Sequence, residues 1–475
     1  PQFEPKNREK VSRILQFRSR EAILIKIGNP ILSSAGRVPA STMFPAAATN
    51  SGGAVMETTP RSLRLQIAVA GRTNSGKSSF MNLITGQDVA ITSPVPGTTT
   101  DVVEKAMELR PIGPVLFLDT AGIDDETRLG GRRVERSRRA FDRADVLLLL
   151  TTAGAWGEPE EEMLSAARER KVSLIAVVNQ IDLHAPDNGF LAMLQEKTGF
   201  EPLTVCATGG AAERERVLPL LKERLLAACP EDFITPPPLL GDLVNPGDTV
   251  MLIVPVDIQA PKGRLILPQV QAIRDGLDHD VTVCVVKENG YRKALENLAV
   301  PPKLVVCDSQ VVDLMVRETP PEVACTTFSI LFARLKGDME LLAGGAGRIR
   351  SLRPGNRILI AEACTHHAGD DDIGRVKIPR WLSATVGGEL DVTVSAGRDY
   401  PADLSRFDLI IHCGSCMLNR RETLRRIELA RQAGVPITNY GMAISACRGV
   451  LERVLSPFPD ALNAFQNGTG REQTK

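Results

Sequence analysis

Residues 71–78 read Gly71-Arg72-Thr73-Asn74-Ser75-Gly76-Lys77-Ser78, two glycines spaced across a short loop and followed by lysine and serine. That spacing suits phosphate chemistry. Glycines let backbone N–H groups wrap an anion, and a helix starting behind them adds its positive end. Lys77 would reach the β and γ phosphates and the Ser78 hydroxyl would ligate Mg2+. Gly71, Asn74, Ser75, Gly76, Lys77, Ser78 and Ser79 are therefore nucleotide-binding candidates. Downstream, Asp119-Thr120-Ala121-Gly122 offers a carboxylate near the metal and a flexible glycine by the γ-phosphate. Asn179-Gln180-Ile181-Asp182 follows, and Asp182 can accept two hydrogen bonds from the N1 and N2 donors of guanine, which adenine lacks. Cys206-Ala207-Thr208 stands where a backbone N–H would read guanine O6. In this order the motifs predict a GTP site with Mg2+.

Two positions depart from the common pattern. Gln180 replaces the usual lysine, and Ile123 stands where many GTPases place a water-orienting glutamine.

A second set of reactive residues lies far downstream: Cys364-Thr365-His366-His367 and His412-Cys413-Gly414-Ser415-Cys416. Three thiols and these histidines could hold a structural zinc (Cys364, His366, Cys413 and Cys416) or an iron–sulfur cluster on three thiolates. They could also be reduced core cysteines. Chemistry alone leaves the three readings open.

These groups need elements to carry them. RLQIAVA, VLFLD, ADVLLLLT and SLIAVVN are short apolar runs suited to parallel strands buried on both faces. SSFMNLIT is the helix behind the phosphate loop. PPPLL and NPGD mark a linker. VMLIVPV, PQVQAIRDGLD, VTVCVV and KLVVCD then build a middle α/β module without a catalytic constellation. GGAGRIRSLRPGN is expected to be a loop opening a last region. There ILIAEAC and DLIIHC are strands, RRETLRRIELARQAG is a helix ending at Gly434, and VPITNY is a strand. If parallel, the two strands bring both cysteine segments to one carboxyl edge, where α/β sheets place ligands.

The expectation is an α/β chain: an N-terminal extension over 1–60, a P-loop GTPase domain over 61–231, and two smaller α/β domains over 248–340 and 345–465. The extension reads as a disordered tail or as non-native residues ahead of a start at Met56. The arginine-dense GGRRVERSRRAFDRAD (130–145) reads as a solvated helix face, or as a surface reporting nucleotide state.

Lysine plus arginine equals aspartate plus glutamate, 57 each, so there is no global basic field and a nucleic-acid partner is not expected. No apolar run approaches the ~18 residues of a membrane span. Nine cysteines scattered over 475 residues do not form a disulfide framework, which points to the reducing cytoplasm.

Asn74 with Pro96-Gly97-Thr98-Thr99-Thr100-Asp101 resembles the tRNA-modification type of GTPase. The resemblance implies K+ held by Asn74, Ser93, Val95 and Thr98, with Thr99 joining Ser78 on Mg2+; the potassium supplies charge where other GTPases use an arginine.

From about Thr59 to Leu462 the whole pattern, including TPRSLRL and VPITNYGMAIS, is similar to the [FeFe]-hydrogenase maturation GTPase family HydF. That resemblance implies a homodimer formed through the middle domain, and a [4Fe-4S] cluster on Cys364, Cys413 and Cys416 with His366 or His412 as candidate fourth ligands. It also implies a carrier that takes a transient diiron subcluster precursor from radical-SAM maturases and delivers it to apo-hydrogenase. The competing expectation is a potassium-activated tRNA-modification-type GTPase with a zinc-stabilised C-terminal domain. A nucleotide-gated interaction protein without functional metal is a third.

Overall fold

The computed structural model describes residues 59–86, 103–120, 141–256, 265–363, 372–397, 400–401 and 403–468. They fall into two compact units, the first ending at Ile234 and the second beginning at Thr235, with Pro60–Leu63 grouped with the second.

The first unit holds β1 (Leu65–Gly71), β2 (Val103–Leu109), β3 (Gly113–Asp119), β4 (Val146–Thr152), β5 (Ser173–Asn179) and β6 (Leu203–Thr204). They form one sheet in the order β2-β3-β1-β4-β5-β6, parallel except for the β2–β3 pair. β1 is buried at every position, as expected of a central strand covered on both faces. Ile67 and Val69 pack on one face with Phe80, Ile84, Val217 and Leu221, whereas Ala68 and Ala70 pack on the other with Leu147, Leu149 and Leu164. The strand order carries β1, β3 and β5 to the same carboxyl edge with the motif residues at their ends.

The arginine-dense stretch falls mostly outside the described residues, but its end corrects the expectation of a solvated face. Arg143 is buried, its Nε donating to Gln66 Oε1 at 3.0 Å and its Nη2 pairing with Glu104 at 3.1 Å. A guanidinium tolerates burial when such partners take its donors.

The second unit holds two all-parallel four-stranded sheets. β7 (Thr249–Ile253), β8 (Thr282–Val286), β9 (Leu304–Cys307) and β10 (Ala324–Thr327) run in the order β10-β9-β7-β8. β11 (Arg357–Ala361), β12 (Asp391–Ser395), β13 (Leu409–His412) and β14 (Ile437–Asn439) run β12-β11-β13-β14. The two sheets share one core. Met251, Ile253 and Val305 cluster with Leu359, Ala361 and Ile410 through helices that include Phe328–Lys336 and Met339–Gly347. The opposite faces of β11 and β13 (Ile358, Ile360, Leu409, Ile411) pack on Ile378, Leu382 and Ile444.

The PPPLL linker packs at its end, where Leu239 and Leu240 are buried in that core and Asp275 accepts the Leu240 N–H at 2.8 Å. One expectation changes here. GGAG is not a loop: Gly344, Gly345 and Gly347 belong to the Met339–Gly347 helix. Glycine weakens an isolated helix by about 1 kcal/mol relative to alanine. Close backbone contact reverses the preference, because a Cβ on Gly345 would lie 1.9 Å from the Ile437 carbonyl oxygen of β14.

Candidate functional site

At the nucleotide site the chain turns out of β1 at Gly71 (φ 154°), adopts a left-handed conformation at Asn74 (φ 63°) and again at Gly76 (φ 87°), and enters the Lys77–Thr85 helix. No side chain caps that helix, so its N-terminal N–H groups face the loop. Lys77 Nζ donates to the carbonyls of Gly71 at 3.0 Å and Arg72 at 2.8 Å, folding the ammonium over the loop a phosphate would fill. From behind, Arg72 makes a forked ion pair with Glu160, whose Oε2 also accepts the Gly157 N–H.

Ser78 Oγ donates to Asp119 Oδ2 at 3.2 Å. Burial pushes the Asp119 carboxyl above its usual range, against the opposing pull of the Ser78 hydrogen bond and Lys77. Its Oδ1 is buried and accepts no hydrogen bond among the described residues. A buried carboxylate oxygen with open coordination beside a serine hydroxyl fits a hard divalent cation with its waters. The Mg2+ expectation thus has a donor set of the right chemistry.

Asn179 joins the base-reading and phosphate-reading loops. It is buried at the end of β5, its Nδ2 donating to Ser75 O at 2.8 Å and its Oδ1 accepting the Ala207 N–H at 3.0 Å. Gln180, also left-handed (φ 59°), donates from Nε2 to the Asn74 carbonyl at 3.1 Å. The shorter amide therefore still tethers the phosphate loop by a hydrogen bond, without a charge. Asp182 is exposed, while the Cys206 N–H is taken by Glu213 Oε1 at 2.8 Å. Gly122, Ile123, Ser93, Val95, Thr98 and Thr99 lie outside the described residues, so of the potassium set only Asn74 is placed.

In the second unit Ala361 of β11 and His412 of β13 are register partners. Cys413 follows directly at that carboxyl edge, whereas Cys364, His366 and His367 lie outside the described residues. Cys413 Sγ accepts the Ala363 N–H at 3.1 Å, and Cys416 is exposed two residues beyond Gly414. An amide donor on sulfur stabilises a thiolate, so the pair fits a soft metal or cluster, although no three metal-ligating side chains gather among the described residues alone.

His412 has both ring nitrogens engaged. Nδ1 lies 2.8 Å from the Cys413 carbonyl, which requires Nδ1–H, and Nε2 accepts from Arg426 Nη1 at 3.2 Å. Burial, then the nearby guanidinium, lowers its pKa to about 3. It can ligate iron only by giving up Arg426. The sequence reading also missed three buried charges at this edge. Lys336 donates to Ser415 and Leu418 carbonyls, Arg426 stacks on Tyr400, and Glu362 is held by Arg375 and Tyr440. No spacing rule links these residues to the cysteines, because they arrive from other elements.

A phosphate loop on a six-stranded sheet with these carboxyl-edge motifs defines a P-loop GTPase domain, here followed by two parallel α/β modules. Residues 66–180 match the 50S ribosome-binding GTPase family. Residues 239–337 match the Hydrogen maturase F dimerization domain and residues 340–457 the Hydrogen maturase F tetramerization domain. The chain belongs to the HydF family of hydrogenase-maturation GTPases.

The MnmE relatives match the GTPase domain. The tRNA modification GTPase MnmE of Synechococcus sp. (strain JA-3-3Ab) is 42% identical over 160 residues, 32% of this chain and 33% of that protein. MnmE of Zymomonas mobilis is 45% identical over 103 residues, covering 21% and 23% respectively. The chain thus spans a third or less of the length of these two relatives. Among solved structures, Aquifex aeolicus Era bound to GDP.AlF4- is similar at 23% identity over 53% of this chain and 97% of that one, with a TM-score of 0.30. The G domain of T. maritima FeoB is similar at 22% identity over 34% and 97%, with a TM-score of 0.27.

Among the described residues no helix is long and apolar enough to cross a membrane.

Proposed function

We propose that this chain is a GTP-hydrolysing scaffold of [FeFe]-hydrogenase maturation. It carries a [4Fe-4S] cluster on Cys364, Cys413 and Cys416, receives the diiron precursor from radical-SAM maturases, and delivers it to apo-hydrogenase. The observation that supports the reading is the Ala361–His412 register, with the Ala363 N–H on Cys413 Sγ, so that the described chain just ahead of Cys364 ends beside Cys413 at the carboxyl edge. The edge belongs to a module of the HydF type, on a chain that also bears the phosphate loop. When bound, the cluster supplies an iron site open to an exchangeable ligand. The chain's own groups hold the thiolates, with the Ala363 amide on Cys413 and His412 buttressing the turn.

GTP is read by Asp182 and the 206–208 loop, with Gly71, Asn74, Ser75, Gly76, Lys77, Ser78, Ser79, Asp119, Gly122 and Asn179 around it. Mg2+ sits with Ser78 and Thr99, and K+ with Asn74, Ser93, Val95 and Thr98. Hydrolysis regulates assembly or partner exchange, in a cytoplasmic homodimer joined through the 239–337 module. Metal and sulfide analysis with EPR on anaerobically prepared protein tests the scaffold: iron, acid-labile sulfide and a reduced-cluster signal are expected. One zinc without sulfide would favour the tRNA-modification-type alternative instead. Hydrolysis is expected to run faster in K+ than in Na+, and equal rates would remove the potassium part.

A further inference from the structure

Burying a lysine ammonium costs several kcal/mol unless hydrogen bonds and opposite charge compensate it. Lys336 ends the Phe328–Lys336 helix and is 4% exposed. Its Nζ donates to the Ser415 carbonyl at 3.1 Å and the Leu418 carbonyl at 2.9 Å. These two acceptors bracket Cys416 in the turn that follows Cys413. The ammonium also lies 5.6 Å from the Phe332 ring centre. Among the described residues no carboxylate pairs with it. Burial lowers its pKa to about 8, and the charges opposing that shift are those of Cys416 and then Cys413. The latch is reciprocal, because Arg420 Nη1, just past the turn, donates back to the Leu335 carbonyl at 2.6 Å.

We propose that Lys336 is the counter-ion of the cysteine turn, a positioning residue that fixes Cys413 and Cys416 and stabilises the more negative, reduced form of the cluster held there. The inference rests on the cluster reading above and adds the residue that balances its charge. Neutral carbonyls satisfy the hydrogen bonds of an ammonium but leave its charge uncompensated, whereas a thiolate-ligated cluster is anionic and gains one further negative charge on reduction. Lys336 belongs to the module matching the dimerization domain and the cysteines to the one matching the tetramerization domain. One module therefore supplies the charge for the other's site.

The test is an EPR-monitored redox titration of the reconstituted full-length chain, with iron and sulfide content and thermal unfolding measured alongside. Lys336→Gln keeps an amide donor for the turn and removes the charge. It is expected to fold and either to shift the midpoint potential to more negative values or to lose iron. Lys336→Met removes donor and charge together and is expected to retain less iron than Lys336→Gln. A folded Lys336→Gln protein with wild-type iron content and an unchanged potential would overturn the proposal. Loss of fold in both variants would assign Lys336 a structural task alone and overturn it as well. Wild-type protein that takes up neither iron nor sulfide would instead sink the scaffold reading, and this inference with it.

Discussion

The phosphate loop and the cysteine turn both sit at carboxyl edges of parallel sheets, yet they are assembled in opposite ways. The phosphate loop is made chiefly of backbone, shaped by Gly71, Asn74 and Gly76 within six residues and steadied by Asn179. The cysteine turn is held by charges from a distance. Lys336 comes from a helix that ends 79 residues before Ser415, and Arg426 from the Arg420–Gln432 helix. The difference follows from the ligands. An anion is satisfied by oriented N–H groups, which a short glycine-bearing segment presents by itself. Under the cluster reading proposed above, thiolates from two segments far apart in sequence would be combined with a cation from a third, which packed elements supply and short spacing does not.

Substitutions at each site sharpen that contrast. Cys413→Ser has the largest expected effect, near-complete loss of cluster iron and of the reduced EPR signal, with GDP affinity unchanged. A fall in GDP affinity alongside the iron would break the separation of the two sites. Next comes Asn179→Ala, which strands the Ser75 carbonyl and the Ala207 amide. Each buried group left unsatisfied costs about 1–3 kcal/mol, so binding of a fluorescent GDP analogue should weaken by roughly tenfold or more while iron content holds. Gln180→Lys is the smallest: the amide already reaches the Asn74 carbonyl, so affinity should change by less than about tenfold, the worth of one neutral hydrogen bond. A larger gain measured in the same titration would mean that the missing charge, and not the tether, limits nucleotide binding.

Much of the nucleotide site was legible because its determinants are local in sequence. The apolar runs that became β1, β3, β4 and β5 needed no partner to be recognised, and each motif follows its strand directly. Short or polar strands were harder. β2 (VEKAMEL) and β12 (DVTVS) carry charges and lie at sheet edges, so neither has an apolar run to announce it. GGAG read as a loop because glycine disfavours an isolated helix. Its helical state depends on β14 lying close enough to exclude a Cβ at Gly345. Arg143 read as solvent-facing because its partners Gln66 and Glu104 are 77 and 39 residues away.

The sequence alone determined the phosphate loop, the order of the motifs that follow it, the parallel α/β class and the two cysteine segments as stretches of chain, since these depend on residue type and short spacing. Only tertiary structure decided that the second and third sheets share one core. It also decided that His412 is locked between Arg426 and the Cys413 carbonyl, and that a buried lysine is tied to the Ser415 and Leu418 carbonyls. Those facts are matters of charge burial and long-range packing, and a buried charge is defined by its neighbours rather than by its place along the chain.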